Sequence, residues 1–305
     1  MMETVNICPV CDGKDFRQKY KARDHVVSGE TYTVEECLSC GLLLTNPRPA
    51  KDAIGPYYMS ENYMPHSPDD GGLIGNLYKM VRVFLLWRKQ KVIASNLADK
   101  QSSNTTILDI GCGTGEFLNK CKESGWKTVG VEPVADARKH AKDTFGLSVF
   151  EEVEQPEVSK QLYDAITLWH VLEHIHDVNE AIENIYKLLK NDGFVLIAVP
   201  NSSSSNAKIY GDYWAALDVP RHIYHFNPSS IQKLMEKHGF SLSSIQPMPM
   251  DAFYISMLSE RYLGTKLGAA RAILNGSVST LSGMLETEKF SSLAYIFRKS
   301  DFKHS

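Results

Sequence analysis

The chain reads as an α/β fold built on a parallel sheet, and two stretches carry that reading. In the first, the apolar run Ile107, Leu108, Ile110 ends in Gly111-Cys112-Gly113-Thr114-Gly115 and enters an amphipathic segment with Phe117, Leu118 and Cys121 on one face. Short continuous apolar runs of this kind suit strands buried on both faces. In the second, residues 165–169 form an apolar strand. A helical stripe of Val178, Ala181, Ile182, Ile185, Leu188 and Leu189 follows, then a further apolar strand over 194–199. Strand and helix in alternation predict a sheet with helices packed on its faces.

The glycine turn gives the fold a ligand. Glycines let a ligand approach bare backbone, and the following helix start offers unpaired N–H groups. A second strand, 128–131, ends in Glu132, whose carboxylate stands at the carboxyl edge of the sheet and can accept from ribose hydroxyls. The dinucleotide fingerprint G-x-G-x-x-G would require glycine where Glu116 stands; instead the third glycine comes one place early, at Gly115, and Asp109 precedes the turn. Carboxylates suit a cationic sulfonium better than a diphosphate. The stretch therefore resembles motif I of the class I S-adenosylmethionine (SAM)-dependent methyltransferases. That resemblance implies a Rossmann-like, doubly wound sheet of seven strands. Its SAM would be held by Asp109, Gly111, Cys112, Gly113, Gly115 and Glu132.

The totals narrow the partners. With 305 residues there is room for one α/β domain and an accessory module, and a net charge of −3 without a long basic run argues against nucleic acid. The start of the chain has no secretory pattern, and the most apolar stretch, 80–87, is too short and too charged to span a bilayer. Six cysteines, four of them in two close pairs, point to metal in a reducing cytoplasm rather than to disulfides.

Residues 1–45 read as a zinc-ribbon-like module. Cys8-Pro9-Val10-Cys11 and Cys37-Leu38-Ser39-Cys40-Gly41 are two C-x-x-C knuckles, a set that fits tetrahedral zinc in a structural role because four thiolates close the coordination shell. Residues 46–72, rich in proline and glycine, read as a linker or lid in which Tyr57, Tyr58 and Tyr63 either cover a pocket or pack the linker down. The methyltransferase domain then runs over 73–305. It opens with a helix over 73–99 that is expected to bury Leu73, Leu77, Met80, Val81, Phe84 and Leu85 and to expose Lys79, Arg82, Lys89 and Lys91.

After Glu132 a helix is expected over 134–145, then a strand over 147–150 followed by Glu151 and Glu152, which stand where this family can meet adenine. His170-Val171-Leu172-Glu173-His174 after the fourth strand is similar to the post-strand motif of the same methyltransferases, ubiquinone-type O-methyltransferases included. That similarity makes Trp169 and His170 cofactor neighbours. His170, His174 and His176 also raise the question of a second metal. Asp177 and Glu180 suit a capping box, and Asn191-Asp192-Gly193 is expected to end the helix.

Residues 201–227 concentrate aromatics, histidines and an arginine in a loop-like stretch. Tyr213, Trp214, Arg221 and Tyr224 are candidate substrate contacts, with Arg221 suited to an anionic group. His222 is the first candidate for a general base, with His225 and His170 behind it. Asn227 and Pro228 open a helix that Gly239 stops, 240–246 and 292–298 are the last two strands, and 247–291 is a helical insertion serving as lid or dimer element. The reaction expected is methyl transfer from SAM to an oxygen or carbon of a small molecule, in a chain that could be a homodimer. Sugar-nucleotide C-methylation and RNA or protein methylation, with the zinc module as docking surface, are the alternatives.

Overall fold

The computed structural model describes residues 1–58, 73–97 and 104–300, with side chains from residue 80 in the helix that starts at Leu73. Tyr63, Pro65, Pro68, Gly71 and Gly72 of the expected lid, and the side chains of Leu73, Leu77 and Lys79, lie outside the described residues.

In chain order the elements are β1 (Met2–Glu3), β2 (Phe16–Arg23), β3 (Thr31–Cys37), β4 (Leu43–Thr45), β5 (Arg48–Pro49), α1 (Leu73–Asn96), β6 (Thr106–Ile110), α2 (Glu116–Glu123), β7 (Lys127–Val131), α3 (Ala135–Phe145) and β8 (Ser148–Phe150). They continue with α4 (Pro156–Ser159), β9 (Tyr163–Trp169), α5 (Val178–Leu188), β10 (Leu189–Pro200), α6 (Ser205–Tyr210), β11 (Tyr224–His225), α7 (Pro228–Lys237), β12 (Phe240–Pro247), α8 (Asp251–Leu263), α9 (Gly268–Leu285) and β13 (Ser292–Lys299). Among the described residues, one sheet has seven strands in the order β12-β13-β10-β9-β6-β7-β8. β6 pairs in parallel with β7 on one side and β9 on the other. The chain winds outward from β6 through β7 and β8 and then returns through β9 and β10, which is the doubly wound pattern. The order reverses at β6, and such sheets bind ligands beyond the carboxyl ends of the strands at that point.

The chain divides into two compact units. One comprises Pro65–Trp169, Glu183–Ile197 and Phe297–Ser305. Its core is the strand residues Ile107, Leu108, Ala165, Ile166, Leu168, Val195, Leu196 and Ile197, all fully buried, as the apolar runs require. The helix α1 departs from expectation. Met80 and Phe84 are exposed, together with Val83 and Trp87, whereas Ile93 and Leu97 are buried. Of its polar residues, Lys91 is exposed as expected and Arg82 pairs with Glu116 at the surface, while Lys89 lies over the Trp169 ring. Asn191-Asp192-Gly193 does not end α5 either. β10 starts at Leu189 and runs through these residues. A Cβ at Gly193 would stand 2.9 Å from the Asp164 carbonyl oxygen, so this glycine permits close approach of backbone within the sheet.

The other unit comprises Met1–Met64, His170–Ile182 and Ala198–Ile296. Residues 1–45 are built into it. Tyr224–His225 adds a strand to the cysteine-bearing sheet, whose order is β11-β4-β3-β2. The core beneath joins Ala22, Tyr32, Val34 and Leu43 to Trp214, Leu217, Val219 and Ile255. The serine-rich stretch after β10 is more regular than a loop. Ser204 caps α6 by accepting from the Ala207 N–H at 3.1 Å. Asn227 and Ser230 form a capping box at α7, with Pro228 in its first turn. The segment 247–291 carries α8 and α9, which pack at Gly276, where a Cβ would stand 2.7 Å from Phe253 Cδ1.

Candidate functional site: a donor turn, a cysteine cluster and a histidine cluster

The donor turn lies in the first-described unit. Gly111, Gly113 and Gly115 all take positive φ, at 70°, 54° and 87°. Gly115 also packs tightly, since a Cβ there would stand 2.7 Å from Leu147 Cδ1 and 2.9 Å from Ala141 Cβ. At Gly113 a Cβ would meet nothing within 4 Å, so the turn is open there. Glu132 is buried at the end of β7 and braces the turn: Oε2 accepts from Gly113 N–H at 2.9 Å and Oε1 from Val134 N–H at 2.9 Å. Each oxygen keeps a further lone pair for a ligand hydroxyl. Asp109 is buried beneath the turn and accepts from Thr167 Oγ1 at 2.5 Å. Burial outweighs that hydrogen bond and the charge of Lys89, and pushes the Asp109 carboxyl up to about 7. Cys112 is buried and faces Gly130, where a Cβ would stand 2.7 Å from its Sγ. Trp169 stacks edge-on against Phe117, and its buried Nε1 has no hydrogen-bond partner. An open glycine turn, a braced carboxylate and an orphaned indole N–H suit an adenosyl ligand. Glu151 is exposed and pairs with Arg138 at 2.9 Å.

In the other unit, Cys8, Cys11, Cys37 and Cys40 converge, with all four Sγ atoms within 4.8 Å of one another and no disulfide. Cys8 and Cys40 are 3.6 Å apart and Cys11 and Cys37 3.5 Å apart. Thiolates around one tetrahedral zinc at about 2.3 Å stand about 3.8 Å apart, so the set fits the ion. Asp12 and Gly41, each one residue past a knuckle, take left-handed φ of 59° and 74° and make the tight turns.

The same unit carries the histidines. His170 follows β9 with φ 58° and sits between Glu173 (3.5 Å) and Asp251 (3.4 Å). Burial disfavours its charge, but Asp251 and Glu173 outweigh this and raise it to about 9. It is therefore a cation at neutral pH, not a ready base. His225 is buried, with Nε2 3.3 Å from Thr45 Oγ1 and Nδ1 without a partner, and burial lowers it to about 3. His222 Nδ1 donates to the Ala216 carbonyl at 2.8 Å, which leaves Nε2 as the accepting nitrogen. His176 binds the Pro49 carbonyl, apart from the compact group, which is Glu173, His174 and His222.

Of the four candidate substrate contacts, only Tyr213 is open, at 44% exposure; Trp214 and Tyr224 are in the core. Arg221 is also buried. Its guanidinium binds Asp218 at 2.6 Å and Asp24 at 3.1 Å, so it ties the 218–226 segment to the N-terminal sheet rather than meeting an anionic substrate. Tyr57 and Tyr58 turn inward, Tyr57 to Glu30 and Tyr58 to His174 Nδ1. Sequence reasoning assigned nothing to Glu173, Asp251, Asp218 or Asp24. Glu173 stood in plain view within the His-Val-Leu-Glu-His run and Asp218 four residues before His222, whereas Asp24 and Asp251 reach their partners from far along the chain.

A doubly wound sheet with a glycine turn at its switch point and an acid closing the next strand defines a class I methyltransferase. The methyltransferase-domain family matches residues 86–245, and the chain belongs to that family. It is 26% identical over 195 residues to a ubiquinone biosynthesis O-methyltransferase of Pelagibacter ubique, covering 59% of this chain and 81% of that one. It is 23% identical over 207 residues to the mitochondrial ubiquinone biosynthesis O-methyltransferase of Bos taurus, covering 61% of this chain but only 55% of that protein. A solved Galdieria sulphuraria structure, provisionally assigned as a sarcosine dimethylglycine methyltransferase, is 16% identical with a TM-score of 0.50; the match covers 70% of this chain and 86% of that one. No helix among the described residues is long and apolar enough to cross a membrane.

Proposed function

We propose that the protein transfers a methyl group from SAM to an oxygen of a small-molecule acceptor. The observation that carries this reading is Glu132, which closes β7 and accepts from Gly113 of the turn while keeping lone pairs for a ribose. The ubiquinone-type O-methyltransferases among its relatives support oxygen over carbon. SAM supplies a methyl on a cationic sulfur, which is displaced in line by a nucleophile. The chain's own work is to hold the donor, exclude water and manage the acceptor's proton. Trp169 and His170 are cofactor neighbours in this reading. The proton falls to His222, whose Nε2 is the free nitrogen; the charged His170 and the buried His225 orient rather than accept. Cys8, Cys11, Cys37 and Cys40 hold a structural zinc.

Calorimetric titration with S-adenosylhomocysteine should show binding to the wild type. Glu132→Ala should weaken it by tenfold or more, since hydrogen bonds to a charged group contribute about 1.5–3 kcal/mol each. Incubating protein and methyl-labelled SAM with a cell extract should then yield a labelled product whose fragmentation separates methoxy from C-methyl and from sugar-nucleotide products. No binding of S-adenosylhomocysteine would end this reading.

A further inference from the structure

We infer that the outer face of α9 pairs with the same face of a second copy of this chain, antiparallel and about a two-fold axis. The helix is built inside out. Its buried residues are Ala272, Gly276, Ser279 and Gly283, all small. Its large aliphatic residues are on the outside. Leu267 at the helix start, Leu274, Val278, Leu281 and Leu285 are all exposed, from 43% at Val278 to 91% at Leu285. Packing holds α9 in this orientation. A Cβ at Gly276 would stand 2.7 Å from the Phe253 ring, and one at Gly283 would stand 2.5 Å from the Phe290 ring. Turning the helix to bury its leucines would drive side chains into both rings.

Spacing and charge identify the occupant. Leu267, Leu274 and Leu281 recur every seventh residue, and Val278 and Leu285 follow the last two by four. Alternating steps of three and four make the narrow seam along which two helices pair. A face that lies on lipid is flanked by Lys and Arg. The only charged residue of α9 is Arg271, and Glu260 holds it at 3.0 Å. Antiparallel pairing centred on Gly276 is self-complementary. It sets Leu274 against the partner's Val278 and Leu267 against the partner's Leu285. Leu281 then lies along the aliphatic stem of the partner's Arg271. At the rim, exposed Lys266 meets the partner's Glu286, whereas parallel pairing would set each against its own kind. At about 100 Å² for a fully exposed aliphatic side chain, the seam with flanking Ile273 and Met284 presents roughly 500 Å² per chain, and two copies reach the threshold of about 1,000 Å² for a specific interface.

Oligomeric state tests the face. Full-length wild type should sediment as a dimer at micromolar concentration. Leu274→Glu and Val278→Glu each put an unpaired carboxylate from both copies into the seam, and should weaken the dimer by roughly a hundredfold or more. Both positions are exposed in the single chain, so the far-ultraviolet circular dichroism of these variants should remain that of wild type. Cross-linking reads the direction without them. A chain carrying both Leu267→Cys and Leu285→Cys should link between copies on mild oxidation, and the linked peptides, identified by mass, should join position 267 to position 285. The two positions are about 27 Å apart along one helix, too far to link within a chain. Neither single variant should link to its own kind; if they do, the pairing is parallel and the proposed arrangement is overturned. A monomeric wild type, or a dimer that both folded glutamate variants leave intact, would overturn the interface. So would a monomer that floats with vesicles of phosphatidylcholine and phosphatidylglycerol and loses them on Leu274→Glu, because the face would then belong to lipid.

Discussion

Asp109 sets the electrostatics of the donor turn. A carboxyl raised from 3.8 to about 7 by burial favours its neutral form in the folded chain. Its contribution to stability is therefore full below its unfolded pKa and is lost as pH rises through about 7. A cationic ligand reverses the preference, because a sulfonium near the turn stabilises the ionised carboxylate. SAM binding near neutral pH should thus release a proton, and SAM affinity should rise between roughly pH 6 and 8. S-adenosylhomocysteine lacks the positive sulfur and should show the smaller slope. Calorimetry in buffers of different ionisation enthalpy reads the proton directly, and Asp109→Asn should flatten it. Equal proton release for the two ligands would show that Asp109 does not sense the sulfur.

The glycine turn as an element separates binding from folding. Gly113 and Gly115 both have positive φ, so alanine costs about 1–2 kcal/mol of backbone strain at either. At Gly115 the new methyl also collides with Leu147 and Ala141, which adds an overpacking cost of about 1–3 kcal/mol. At Gly113 it points into open space, where the ligand approaches. Gly115→Ala should therefore lower the melting temperature more, whereas Gly113→Ala should lose more SAM affinity relative to its stability loss. The turn was legible in the sequence because strand, glycines and acid are local and their spacing is chemically restrictive. The knuckles of the cysteine cluster were legible for the same reason. The histidine segment was read only in part. Arg221 looked like a substrate group because its partner Asp24 lies 197 residues away, and no local pattern records that pairing. Gly193 looked like a helix stop because a strand glycine and a helix-terminal glycine are written identically. What tells them apart is the Asp164 carbonyl of the neighbouring strand, 2.9 Å from where a Cβ would stand.

At the scale of the whole molecule, the cysteine cluster belongs to a unit that also contains β11, α8, α9 and the histidines. A free-standing ribbon of 45 residues would depend on its metal for folding, as zinc-finger peptides do, with apparent binding energies of about 10–16 kcal/mol. Here Tyr32, Val34 and Leu43 share a core with Trp214, Leu217 and Ile255, and Arg221 joins Asp24 from the far end of the same unit. Part of the ordering that a lone ribbon would draw from zinc therefore comes from packing. Losing the proposed zinc should loosen the module without unfolding the chain. Hydrogen exchange of wild type against Cys37→Ser tests this. Amides of β3 and β4, which carry or flank the knuckles, should exchange faster, and β11 should follow because it pairs with β4 at Tyr224 and Leu44. The strands β6, β7 and β8 lie in the other unit and bury their own core, so their protection and the S-adenosylhomocysteine affinity should hold. Global loss of protection would mean instead that the ion supports the entire chain. Unchanged exchange in β3 and β4 would mean that the thiolates contribute nothing to the fold and that another use for them must be sought.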